Sequence, residues 1–179
     1  GTNYALHKLE FTNTASITCG ELKISGSTLT LGSGEPEGPT LTCAGNLTMT
    51  NTGATDASLT NNSRLLIAAG LTCPGEASAY GAKVQVGGDV VVSSNCWVLP
   101  FAHPTNGTVP LLRMQNIILH PGGGINANSN GYMGSISNLT AYGPGAASYQ
   151  RHGASYGGRG SQGNSANTNI PPTYGVSNA

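Results

Sequence analysis

Short stretches in which apolar and small polar residues alternate recur along the first two thirds of the chain, and Gly and Asn residues separate many of them. A period of two places successive side chains on opposite faces of a β-strand. The clearest example is "LTCAGNLTMTNTG", residues 41–53, whose first half resembles "ITCGELKISG" about two dozen residues earlier. The pattern predicts an all-β chain built from short strands.

Four of these stretches superimpose on one another: "SITCGELKIS", "TLTCAGNLTMT", "KVQVGGDVVVS" and "LLRMQNIILH". Each has two alternating apolar residues, a break that ends in an acidic or amide residue, and two further alternating apolar residues. The apolar sets are Ile17, Cys19, Leu22, Ile24; Leu41, Cys43, Leu47, Met49; Val84, Val86, Val90, Val92; and Leu112, Met114, Ile117, Leu119.

The spacing of the repeats is typical of a solenoid. Equivalent residues Leu22, Leu47, Val90 and Ile117 are 25, 43 and 27 positions apart. The middle gap is nearly two periods, and we interpret "SRLLIAAGLTC" within it as a poorly matching extra rung. A unit of this length cannot bury its apolar face alone and stacks on its neighbours.

An antiparallel sandwich is the alternative fold, since it also has short strands at regular spacing. Asn-Gly and Asp-Gly hairpin signals are nearly absent between the strands, and the segments align in the same direction. We therefore predict a right-handed parallel β-helix (β-solenoid) over residues 1–120. A further strand is expected after each turn, in "STLTLGSG", "SNCWVLPF" and "GGGINAN". The glycines of the last segment indicate either close backbone approach or the point at which the chain leaves the stack.

From residue 121 the chain changes character, with 13 glycines in its last 59 residues and no apolar alternation. Five of the seven tyrosines lie there, whereas a free linker is usually poor in aromatic residues. We predict that residues 121–179 form a Gly/Tyr-rich segment that covers the solenoid or a neighbouring subunit. A low-complexity tail without fixed structure is the alternative.

Residues repeated at one place in the rungs have a structural interpretation. Glu21, Asn46, Asp89 and Asn116 stand between the two apolar pairs, where such side chains bond the backbone of a corner or form a ladder. Cys19 and Cys43 are equivalent in successive coils, about 4.8 Å apart if the register holds. They are candidates for a disulfide or a buried thiol ladder, and Cys73 and Cys96 are a second candidate pair.

Composition narrows the classes of partner. Charged residues are 8% of the chain, and seven basic residues balance seven acidic ones. The chain therefore has no basic stripe for nucleic acid, and no apolar run long enough to insert into a membrane. The cysteine spacing lacks the pattern of a zinc site, and we expect no metal and no cofactor. The low charge and the many Asn and Thr residues favour an extracellular setting.

Candidate chemistry is sparse. The carboxylates are scattered, with Glu35 and Glu37 alone close together, which falls short of a calcium shell. Arg151, His152 and Arg159 concentrate positive charge in the tail, where a surface contact is the expected role. Asn61, Asn106 and Asn138 begin glycosylation triplets in predicted loops, and Asn46 begins a fourth at its corner. We predict that the chain is not an enzyme.

The second half of the chain resembles a known class of proteins. "KVQVGGDVVVSSNCWVLPFAHPTNG", "GGGINANSNGYMG", "AYGPGAA", "GASYGGRG" and "TYGVSNA" are similar to the coil and Gly-rich tract of large bacterial surface and secreted β-helix proteins, of the adhesin or autotransporter-passenger kind. The resemblance covers residues 80–179 and implies a β-helix fold and a location outside the cell. It implies little about activity.

Three functions fit these observations. The first is a non-enzymatic structural protein, a subunit of a surface fibre or the stalk of an adhesin, whose partners are other copies of itself stacked head to tail. The second is a carbohydrate-binding or polysaccharide-lyase-like module, with Trp97 and tyrosines as platforms for surface glycans. The third is a segment of a viral fibre.

Overall fold

The computed structural model of the chain describes residues 8–11, 16–32, 36–51, 62–132 and 142–143. These residues form thirteen strands and no helix. They fall into two compact units. The first contains the described residues up to His103 together with Thr108–Asn130, and the second contains Pro104–Gly107 and the described residues from Gly131 onward.

The strands are short, as the alternating stretches predict. In chain order they are β1 (Lys8–Phe11), β2 (Ser16–Cys19), β3 (Leu22–Ser25), β4 (Thr28–Leu31), β5 (Thr40–Cys43), β6 (Leu47–Thr50), β7 (Arg64–Ala68), β8 (Tyr80–Val86), β9 (Val90–Val92), β10 (Trp97–Phe101), β11 (Val109–Arg113), β12 (Ile117–Leu119) and β13 (Gly124–Ile125).

Three parallel sheets collect these strands in rotation. Sheet A has the order β1-β4-β7-β10-β13, sheet B β2-β5-β8-β11 and sheet C β3-β6-β9-β12. The chain visits B, C and A in turn and then returns to B, so that β2–β4, β5–β7, β8–β10 and β11–β13 make coils 1 to 4. Three stacks of parallel strands visited in this way are compatible with the predicted β-solenoid.

The register confirms the alignment of the four repeats. Leu22 pairs with Leu47, Leu47 with Val90, and Val90 with Ile117. The equivalent rows in sheet B join Ile17 to Leu41, Leu41 to Val84 and Val84 to Leu112. Each repeat therefore supplies the sheet B and sheet C strands of one coil.

The predicted extra rung at "SRLLIAAGLTC" is wrong. Its first part is β7, the third strand of coil 2, which pairs with β4 on one side and β10 on the other. The gap between repeats is long because longer segments separate β6 from β7 and β7 from β8, not because another coil intervenes. The remaining residues of the stretch, including Cys73, lie in the β7–β8 connection.

Third strands were also expected in "STLTLGSG" and "SNCWVLPF", and β4 and β10 confirm both. In "GGGINAN" the third strand is the two-residue β13, next to β10. A Cβ atom on Gly123 would collide with the backbone oxygen of Ser93, which confirms the close backbone approach. The first unit thus continues past the predicted boundary at residue 120 as far as Asn130.

The core lies inside the coils and consists of the inward rows of coils 1 to 3. Its fully buried side chains include Leu31, Leu41, Leu47, Met49, Leu65, Ile67, Val84 and Val92. Most outward positions of sheets B and C carry Thr, Ser, Lys or Gln, whereas sheet A has Leu66, Trp97 and Leu99 on its outer face.

The second unit contains a tyrosine held among glycines. The Tyr132 hydroxyl donates a hydrogen bond to the backbone oxygen of Asn106 at 3.4 Å. Gly107 and Gly143 both have positive φ, and a Cβ atom on either would collide with the Tyr132 ring. Most of the predicted covering segment, and its other tyrosines apart from Tyr142, lie outside the described residues.

Candidate functional site

The corner positions between sheets B and C form a ladder along the solenoid. Asn46 Oδ1 accepts a hydrogen bond from the backbone N–H of Asp89 at 2.9 Å, and Asp89 Oδ1 accepts one from Asn116 Nδ2 at 2.7 Å. Backbone oxygens of the same three residues accept bonds from the preceding coil, for example from Leu22 N–H to Asn46 O at 3.0 Å. The predicted ladder is confirmed for these residues, and Glu21 stands at the equivalent corner of coil 1. These hydrogen bonds join the corners of neighbouring coils.

The most enclosed described carboxylate belongs to Glu76, in the β7–β8 connection, whose side chain is 7% exposed. Its two oxygens accept bonds from both terminal nitrogens of Arg113 at 3.0 and 2.8 Å, and Lys83 Nζ lies 3.3 Å away. Lys83 belongs to β8 and Arg113 to β11, so this network joins coil 3 to coil 4. A carboxylate held by two cations in this way is occupied by structural contacts.

The other candidate carboxylates do not assemble into a site. Glu37 pairs with Thr72 through the backbone in an isolated bridge, and Glu10 makes an ion pair with Lys8 at 2.7 Å. Glu35 and Asp56 lie outside the described residues. Among the residues that the structure describes, no three His, Cys, Asp or Glu side chains come close enough to hold a metal ion.

The four cysteines are free thiols, so neither candidate disulfide is present. Cys19 and Cys43 are register partners in adjacent coils, as predicted. Their thiols donate to backbone oxygens instead, Cys19 to Thr42 at 3.8 Å and Cys43 to Gly20 and Asn46 at 3.4 and 3.3 Å. The two free thiols are thus neighbours in adjacent coils, with Cys43 buried and Cys19 partly exposed. Burial, and then the neighbouring Cys43, raises the pKa of Cys19 above its ordinary value.

Cys73 and Cys96 are not equivalent positions. Cys96 directly precedes Trp97, which pairs with Arg64, so its counterpart in coil 2 is Ser63. Cys73 lies instead in the connection that holds Glu76. Burial raises the pKa of Cys73, and the nearby charge of Lys83 opposes that shift. The pairing failed because it followed from the rejected extra rung.

Coil 4 exposes apolar side chains at positions that are buried in coil 3. Ile117 and Leu119 are 40% and 47% exposed, whereas their register partners Val90 and Val92 are 4% and 0% exposed. Within the described part of the chain, β11, β12 and β13 each pair on one side only. Their outer edges therefore present unpaired backbone groups beside an apolar row.

A groove with both apolar and polar lining residues lies on the outer face of sheet A. Arg64, Trp97, Leu99 and Asn126 line an open groove of about 280 Å³ across β7, β10 and the end of β13. Trp97 was named in advance as a platform, but the other three were missed. Period two alone places residues 97 and 99 on one face, yet bringing Arg64 and Asn126 beside them requires the register between distant segments.

Few of the remaining predicted positions fall on described residues. Asn106 is exposed in a turn of the second unit, as its interpretation as a loop residue requires. Asn61, Asn138, Arg151, His152 and Arg159 lie outside the described residues. No helix in the part of the chain that the structure describes is long and apolar enough to span a bilayer.

No protein-family model, curated protein or solved structure matches this chain. The resemblance of the Gly-rich tract to bacterial surface β-helix proteins therefore stays a prediction carried by its motifs. The same is true of a location outside the cell.

Proposed function

We propose that this chain is a non-enzymatic extracellular structural protein, a subunit of a surface fibre or the stalk of an adhesin, that assembles head to tail through its coils. The observation that carries the proposal is the open face of coil 4. Exposed Ile117 and Leu119 continue rows that are buried throughout coils 2 and 3. Another coil placed on this face would bury them and pair the free edges of β11 and β12.

A second copy offers a matching surface. Coil 1 presents the outer edges of β2 and β3, and its inward residues Ile17, Cys19 and Leu22 are only partly buried. A copy stacked in register would continue the same apolar rows in the same direction. Contacts between two different surfaces of one protein give an open filament when the rotation between successive copies does not close a ring, as in stacking along the solenoid axis.

Sheet A constrains how this stacking occurs. It has five strands because β1 precedes coil 1, whereas sheets B and C have four. If coil 1 of one copy paired with coil 4 of the next in all three sheets, β1 would occupy the level of β13. We therefore propose that stacking displaces β1, which makes that strand a removable cover on the coil 1 end.

The finer features of the fold belong to the same proposal. We assign the solenoid a right hand, because parallel crossover connections are right-handed in about 98% of cases. The neutral, hydroxyl-rich surface, with charged residues at 8% of the chain, suits a fibre outside the cell. The Gly/Tyr-rich segment from residue 121 is assigned to covering solenoid surface, its own or a neighbour's.

Electron microscopy and sedimentation over a range of concentrations test the assembly. We expect filaments whose subunit repeat is close to the solenoid length, and monodisperse monomers at high concentration would refute the proposal.

Leu119→Lys places a charge in the inward row and is expected to abolish filaments. Ile118→Lys is the matched control, since Ile118 is 43% exposed on the same strand but points to the outer face. Equal loss of assembly in both variants would contradict stacking through the inward row.

A further inference from the structure

The outer face of sheet A combines an aromatic ring, an exposed cation and an amide donor in one groove. Trp97 and Leu99 alternate on β10, so both point away from the core. The register places Arg64 directly beside Trp97 on β7, and Gly124 beside it on β13. The groove is thus built by three strands that are distant in sequence.

Gly124 explains the position of the ring. A Cβ atom on Gly124 would stand 3.3 Å from Trp97 Cζ3 and 3.9 Å from Cε3, so the six-membered ring leans over this glycine. A side chain at position 124 would push the ring away from the sheet. The Cε3–Cζ3 side of the ring is therefore held beside Gly124, and the rest of the partly exposed indole is left for a ligand that can stack on it.

The polar groups beside the ring are available. Asn126 Oδ1 already accepts a hydrogen bond from the backbone N–H of Asn128 at 2.9 Å, which leaves its amide NH₂ as a donor toward the groove. Arg64 is exposed, and no described carboxylate pairs with it. The nearest charged pair on this face, Lys8 with Glu10, belongs to β1, two strands or about 10 Å from β7.

We propose that this groove binds an acidic saccharide, a sugar chain that carries carboxylates. The indole face stacks on the C–H groups of a sugar ring, the Arg64 guanidinium forms a bidentate pair with a carboxylate, and the Asn126 amide donates to a hydroxyl. A shallow groove that crosses three strands accommodates consecutive sugar rings of a chain lying across the sheet. The charge decides the class, since the groove contains one cation and none of its lining residues is acidic.

The site does not require the proposed assembly, because its four lining residues all belong to one chain and lie on the outer face of sheet A. If no filament formed, saccharide binding by the monomer would still support this site. Filaments would repeat the groove once per subunit and raise the avidity for a long polysaccharide.

Fluorescence provides a direct test, because Trp97 is the sole tryptophan of the chain. The full chain is titrated with trigalacturonate, with its fully methyl-esterified form and with a short poly-glutamate peptide. We expect a saturable change in emission with trigalacturonate and much weaker binding of the ester and the peptide. No saturable change with the uronate, equal affinity for acid and ester, or tighter binding of the peptide would overturn the proposal.

Two variants locate the effect. Arg64→Gln should weaken uronate binding about tenfold to a hundredfold, the loss expected for a charge-assisted bidentate contact. Lys23→Gln removes an exposed cation from the outer face of sheet C and is the matched control, expected to bind as the parent does. Asn126→Asp keeps the acceptor for Asn128 but replaces the donor with a negative charge, so it should also weaken binding. Equal affinities in Arg64→Gln and Lys23→Gln would refute the site.

Discussion

The two ends of the solenoid carry the same inward pattern but are covered differently. In sheet A the row Leu9, Leu29, Leu65, Val98, Ile125 is 43% exposed at both ends and no more than 6% exposed between them. In sheet C the ends differ, because Ile24 of coil 1 is 4% exposed and Leu119 of coil 4 is 47% exposed.

The difference lies in what precedes and follows the coils. Phe11 of β1 packs on the core together with the inward residues of coil 1. At coil 4, Leu112 and Met114 of sheet B pack on the core, while Ile117 and Leu119 of sheet C remain exposed. The alternating pattern therefore specifies which side chains point inward but not which of them are buried, since β3 and β12 are both edge strands of sheet C.

The largest test of this comparison uses one inward row. Met49 and Leu119 occupy equivalent positions, with exposures of 0% and 47%. Met49→Ala leaves a cavity inside coil 2 and should lower the free energy of unfolding by about 2 to 5 kcal/mol. Leu119→Ala removes a side chain that is only about half buried and should lower it by about 1 kcal/mol or less. Denaturant unfolding at low protein concentration measures both.

An equal cost for the two substitutions would break the comparison. It would mean that Leu119 is covered in solution even in the dilute monomer. If the cost at Leu119 instead rises with protein concentration, a second copy supplies the cover, as the stacking proposal requires.

The next test concerns how coil 4 is attached. Glu76 bridges Lys83 of β8 and Arg113 of β11, so Glu76→Gln should lower the free energy of unfolding by about 1 to 3 kcal/mol. Hydrogen exchange should increase mainly in Val109–Arg113, since coil 4 has a neighbour on one side only. Glu21→Gln changes an exposed carboxylate at a corner and should be neutral. Unchanged exchange in β11 would show that strand pairing alone holds the last coil.

The comparison also explains how far the sequence could lead. Period two and the repeat alignment identified the inward rows, the corner positions and the partnership of Cys19 with Cys43, because parallel stacking places equivalent residues side by side. The position of β7 was missed, since its own alternation says nothing about which of three faces it joins. Arg64 and Asn126 were missed for the same reason, because a groove on one face depends on which distant strands become neighbours.

A smaller effect on stability is expected at the coil 1 end. The backbone oxygen of Phe11 accepts a hydrogen bond from the N–H of Gly32, which directly follows β4. Every second residue of β1 faces the same neighbour, so the N–H of Leu9 also points toward β4. Leu9→Pro therefore removes one ladder bond and should lower the free energy of unfolding by about 1 kcal/mol. If β1 is a removable cover, filaments should form faster or at lower concentration in this variant, as measured by light scattering. Slower assembly would contradict the displacement of β1 and indicate that it belongs to the joint.

The smallest effect concerns the thiol of Cys19, which lies in the row whose coil 4 member is Met114. Burial raises the pKa of Cys19 above 9.0, so the unfolded chain releases this proton at lower pH than the folded chain does. The contribution of the protonated Cys19 thiol to the free energy of unfolding is therefore complete below about pH 9. It is lost as the pH rises through the higher pKa of the folded chain. Cys19→Ala should therefore reduce the fall in stability between pH 8 and pH 11, by an amount limited by the partial exposure of this residue. Alkylation of Cys19 at pH 9 should be slower in the folded than in the unfolded chain. Equal rates would contradict the partial burial of this thiol and would mean that coil 1 exposes Cys19 as coil 4 exposes Leu119.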